Sequence, residues 1–241
     1  MVKAALITQL EKEILSLQGL KPVPQANHAK LLPAIINKAF PNHVFPTGAI
    51  HEFCCADKPA MAATNGFIGG VLQQLMQQQR ACLWVSHARN IFPPALHAFG
   101  IDPSRIIFID LAKEKQVLWV IEEALKCKGL AAVVGEINTM DFTASRRLQL
   151  AVEQSRVTGF LLRPPAATVP ATASVARWQI SSIASQLDDG MPGIGFPRWK
   201  VDLLKIRNGQ PGTWELEWKD GRFVPVVEEK KLPQLLHSKT A

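Results

Sequence analysis

At 241 residues, 47% hydrophobic and 20% charged, the chain suits one large α/β domain and is too apolar for global disorder. Its formal charge of +7 favours an anionic partner, nucleic acid foremost. No apolar run approaches the ~18 residues of a membrane span, and residues 1–8 lack the apolar run and cleavage site of a secretory signal, so a cytoplasmic location is expected.

Leu6, Leu10, Ile14 and Leu17 recur at helical spacing and predict an N-terminal helix with one apolar face, which docks on the chain's own body or serves as a contact surface for a partner. Residues 19–45 are rich in Pro, Asn and His and read as a connector, so residues 1–45 are set apart as helix plus connector. From residue 46 to 227 a core domain is expected. Ile50-His51-Glu52-Phe53-Cys54-Cys55 reads as a buried strand, Ala56-Asp57-Lys58-Pro59 as a turn, and residues 60–79 as a helix. Strands follow at 81–85, 106–109, 130–134 and 159–162, separated by helices at 92–99, 114–126 and 143–156. Gly100 sits at a helix stop, and Asp141 or Thr143 at a helix start. Strand–helix alternation of this kind builds a mostly parallel sheet flanked by helices. Beyond residue 163 the period becomes two, at 175–183, 199–206 and 213–218, with a turn at Asn208-Gly209-Gln210-Pro211-Gly212, and an antiparallel extension is predicted. Residues 228–241 read as a charged, flexible tail.

The junction at 55–60 stands where a phosphate-loop protein carries G-x-x-x-x-G-K-[ST], whose backbone amides, lysine and hydroxyl close around phosphates. Here no glycine lies between Ile50 and Gly66, no Ser or Thr directly follows Lys58, and Pro59 removes an amide donor. Ala56, Asp57, Lys58 and Pro59 therefore form a degenerate phosphate loop, and no nucleotide cofactor is expected. The four cysteines lack C-x-x-C spacing, while His51, His87 and His97 are scattered. Glu136 and Asp141 read as strand-end and capping residues, so no metal site and no catalytic residues are assigned. No acidic residue occurs from 154 to 187, where Arg156, Arg163 and Arg177 are the candidates for contact with DNA phosphates. Trp178, Trp199, Trp214 and Trp218 fall on the alternating strands and are expected mostly to pack a core.

These pieces together resemble a RecA-type core. Residues 45–53, Phe-Pro-Thr-Gly-Ala-Ile-His-Glu-Phe, are similar to the lead-in to the first core strand of recombinases, and residues 130–134 stand where a Walker B strand would. Gly135 then replaces its aspartate, and Ser86-His87 stands where recombinases place a catalytic glutamate. Residues 159–163 resemble the strand before the second DNA loop. A closer resemblance is to the ImuA family of RecA-like mutasome proteins, carried in order by residues 83–85, 96–105, 118–125, 130–136, 143–151, 158–163, 197–204 and 209–214. That resemblance implies a non-catalytic accessory role in SOS-induced, error-prone translesion DNA synthesis. It implies as partners an ImuB-like Y-family polymerase homologue, a DnaE2-type polymerase, single-stranded DNA and a second copy of the chain. Two alternatives stay open: a SulA-like cell-division inhibitor, and a RecA-like ATPase with an atypical phosphate loop.

Overall fold

Runs of apolar residues bounded by turns become central strands because neither of their faces meets water. In the computed structural model, which describes Leu10 and residues 31–77, 80–87, 91–165, 170–187 and 193–226, β1 (Ile50–Cys54), β4 (Leu130–Glu136) and β5 (Thr158–Arg163) are buried almost throughout. They join β2 (Ala81–Ser86), β3 (Ile106–Asp110), β6 (Ala176–Ile183), β7 (Arg198–Ile206), β8 (Gly212–Lys219) and β9 (Arg222–Pro225) in one nine-stranded sheet of order β3-β2-β4-β5-β1-β6-β7-β8-β9. β1 to β6 pair in parallel, and β7 to β9 continue the sheet antiparallel. The expected architecture is thus present. β9 was not foreseen, although Asp220-Gly221, both at positive φ, is the dipeptide that closes tight hairpins.

α2 (Lys58–Leu75) covers one face of the sheet and buries Phe67, Ile68, Val71 and Leu72 against Trp178, Trp199 and Phe223. α3 (Glu114–Lys126) and α4 (Phe142–Ser155) cover the other face, with Val117, Ile121, Leu125, Leu148 and Val152 on Val85, Val133 and Leu161. Residues 93–99 form a 3-10 helix instead of the expected α-helix, because Pro94 disfavours the α conformation at Pro93. Gly100 ends it in the left-handed region, at φ 72°. Gly48 is also left-handed, and a Cβ there would come within 3.1 Å of the Arg156 backbone. No helix among the described residues is long and apolar enough to cross a membrane.

One expectation is corrected. Residues 31–45, read as connector, belong to the core: Leu31, Leu32, Ile36, Phe40 and Phe45 are buried beside Trp178, and α1 (Ala34–Asn37) presents Ile36 inward. The folded unit therefore begins before residue 46. Of the N-terminal stripe, Leu6, Ile14 and Leu17 lie outside the described residues, as does the expected tail 228–241; Leu10 is 48% exposed.

His51 is sealed in this layer. Its ring stacks on Phe45 at 4.4 Å, Nε2 lies 2.7 Å from the Pro46 carbonyl, and the Trp178 indole donates to Nδ1 at 3.2 Å. Only the neutral ring with its proton on Nε2 fits, since a second proton would face the indole N–H. Burial pushes its pKa down to about 4 against an ordinary 6.5, with the Pro46 bond opposing. Between those values the unfolded chain takes a proton that the folded protein refuses, so stability falls as pH drops through that window. Thermal melts from pH 7 to 4 are expected to show this decline, and His51→Gln to flatten it. Phe40→Ala is expected to cost about 3–5 kcal/mol in denaturant unfolding; a cost near zero would return residues 31–45 to the role of connector.

Candidate functional site

Parallel strands of an open α/β sheet present their carboxyl ends at one edge, where ligands of such folds bind. Here that edge gathers the turn after β1, Glu136 ending β4, Arg163 ending β5, and Ser86 and Asp110 ending β2 and β3.

At the turn, β1 passes through residues 55–57 into α2. Asp57 is the N-cap of α2, and its Oδ1 accepts from the Ala60 amide at 2.7 Å. A carboxylate thus sits at the positive end of an 18-residue helix, in the place a phosphate takes in a phosphate loop. Pro59 lies in the first turn, and Lys58 is exposed. Thr64 is buried, donates to the Ala60 carbonyl at 2.7 Å and accepts from the Cys55 thiol at 3.6 Å. Ala56, Asp57, Lys58 and Pro59 are all solvent-exposed.

Beside the turn, Glu52 is fully buried in the middle of β1. Its Oε1 accepts from Arg163 Nη1 at 2.8 Å; its Oε2 accepts from Arg177 Nε at 2.9 Å and from the Thr172 hydroxyl at 2.9 Å. Arg177 also donates to the Pro170 carbonyl at 2.8 Å. Two of the three predicted DNA-contact arginines are therefore brought together, around a carboxylate and away from solvent. Arg163 is 4% exposed and Arg177 half-buried, which turns their charge inward. Arg156 does not join them. It is exposed at the C-terminus of α4, in the left-handed conformation, at the opposite end of β5.

Further along the edge, Ser86 donates to Asp110 at 2.8 Å, and His87 contacts Glu114 at 2.6 Å and the Leu111 carbonyl at 3.1 Å. Both ring nitrogens of His87 are thereby occupied, and neither faces a nucleophile. Glu114 in turn accepts from the Asn138 and Thr139 amides, tying the N-terminus of α3 to the loop after β4. Asp141 is the N-cap of α4, accepting from the Ala144 amide at 2.6 Å. Among the described residues no group of three or more His, Cys, Asp or Glu is placed to hold a metal ion.

Trp178, Trp199 and Trp218 are buried as expected, and Trp214 is half-buried. The outward-facing tryptophan is Trp119, 62% exposed on α3. Sequence reasoning missed it, although position 119 lies off the Val117, Ile121 and Leu125 face at helical spacing. Since Glu52 neutralises two buried guanidinium groups, Glu52→Gln is expected to cost about 3–5 kcal/mol of stability in chemical unfolding. A loss below about 1 kcal/mol would mean that the arginines find other partners.

No family model matches the chain. Protein ImuA of Caulobacter vibrioides, in each of two strains, is 33% identical over 202 residues, spanning 79% of this chain and 83% of that protein. The crystal structure of the RadB recombinase superposes with a TM-score of 0.51 at 12% identity, covering 75% of this chain and 92% of that one. The sheet order, the helix layers and this likeness make the fold RecA-like, and the identity shared along most of its length makes the chain a member of the ImuA family.

Proposed function

We propose that this chain is a non-catalytic, RecA-like accessory protein of SOS-induced, error-prone translesion DNA synthesis, working by binding partners and not by turning over nucleotide. The observation that carries the reading is the Asp57 carboxylate on the α2 amide: a phosphate placed there would meet a like charge where a phosphate loop offers donors. The missing hydroxyl after Lys58 and the buried Thr64 support it further. The family's resemblance supplies the pathway and the partners: an ImuB-like polymerase homologue, a DnaE2-type polymerase and a second copy. The apolar stripe of Leu6, Leu10, Ile14 and Leu17 is the proposed contact helix, consistent with the exposure of Leu10. DNA contact belongs to the same proposal and falls to exposed Arg156 and the surplus of basic residues, with Arg163 and Arg177 held by Glu52.

Magnesium and ATP are expected to leave the melting temperature unchanged, and DNA-stimulated phosphate release to match between wild type and Lys58→Ala; turnover that disappears in Lys58→Ala would falsify the non-catalytic reading. In a pull-down, an ImuB-like protein is expected to retain the wild-type chain and to lose the Leu6→Ser/Leu10→Ser/Ile14→Ser variant, whose melting temperature stays put.

A further inference from the structure

A cavity of about 580 Å³ opens between the N-terminal halves of α3 and α4, lined among others by Leu118, Met140, Asp141, Ala144, Arg163 and Pro170. Asn138 and Thr139 add polar groups to this lining, and two of its residues are charged. Asp141 is engaged with the Ala144 amide and the positive end of α4. Arg163 is nine-tenths buried, bonded through Nη1 to Glu52, and its Nε–H has no hydrogen-bond partner among the described residues. A buried, unmet donor costs free energy until an acceptor reaches it. Two guanidinium groups, Arg163 and Arg177, share the one carboxylate of Glu52.

We infer that this cavity is a docking site for a peptide segment of a partner protein that carries a carboxylate beside an apolar side chain. The apolar side chain fills the space against Leu118, Met140, Ala144 and Pro170, while the carboxylate accepts from Arg163. Exposed Trp119, next to Leu118 on α3, supplies an aromatic anchor on the adjoining surface. Nucleic acid fits this lining poorly: it holds no aromatic ring on which a base could stack. The inference rests on the reading of the chain as a binding module and names a second contact surface, distinct from the N-terminal stripe.

The test titrates four probes onto the full-length chain labelled with ¹⁵N. They are amidated peptides with Leu or Phe beside Asp or Glu, the same peptides with Asn or Gln in place of the acids, peptides whose one carboxylate is a free C-terminus, and oligothymidylate. The readout is the NMR shift of the Arg163 Nε–H and of the Leu118 and Ala144 amides. Carboxylate peptides are expected to move these signals and to bind at least about ten-fold tighter than their Asn/Gln counterparts. Preference for the internal acid or for the chain end identifies which carboxylate is read, and either supports the site. Ala144→Phe, filling the cavity from a half-buried helical position, is expected to abolish binding with the melting temperature kept, and Leu118→Asn to weaken it. Equal affinity for acid and amide peptides, binding that survives both substitutions, or shifts produced by oligothymidylate alone would overturn the inference. An ImuB-like protein that binds Ala144→Phe as it binds wild type removes this site and leaves the binding-module reading intact.

Discussion

Glu52 is the constraint on which the arrangement at the sheet's carboxyl edge depends. A carboxylate without water must be met by charge and hydrogen bonds, and it draws Arg163 from β5, Arg177 from β6 and Thr172 from the segment between them. Three strands and the base of the loop between β5 and β6 are fixed by one side chain. The same pairing turns the charge of Arg163 and Arg177 toward the interior. A chain carrying +7 overall thus pairs its most central arginines internally.

Next to that cluster, the turn after β1 is an ordinary helix start. Asp57 caps α2 as carboxylates cap many helices, and Thr64 returns its hydroxyl to the backbone one turn earlier. The strand, the turn and the helix remain where a RecA-like sheet requires them, since they are held by core packing of Phe53 and Phe67 on Trp178 rather than by ligand. Scaffold and chemistry are separable for this reason: the first rests on buried apolar area, the second on a few exposed residues in a turn.

Much of the fold was legible because its signals are local. Buried strands such as Leu130–Glu136 are unbroken apolar runs, and Asp141 and Gly100 mark helix ends by their own conformational preferences. Residues 31–45 were misread because their Pro, Asn and His content hides Leu31, Ile36, Phe40 and Phe45, whose irregular spacing matches neither the helical nor the strand period. The helix expected at 92–99 tightened to a 3-10 turn because two prolines outweighed its apolar pattern. That the turn at 56–59 carries no glycine and no hydroxyl was visible in the sequence; that Asp57 caps α2 needed coordinates.

The sequence by itself determined the alternation of strand and helix, the antiparallel close and the make-up of the turn at 56–59, since each depends on neighbours within a few residues, and it carried the family in an ordered series of such short segments. Only the tertiary structure decided which charges are available. Glu52 meets its arginines across 111 and 125 residues of chain, and the cavity beside Arg163 is walled by α3, α4 and two loops. Burial and pairing at such separations are properties of packing, and no window of sequence contains them.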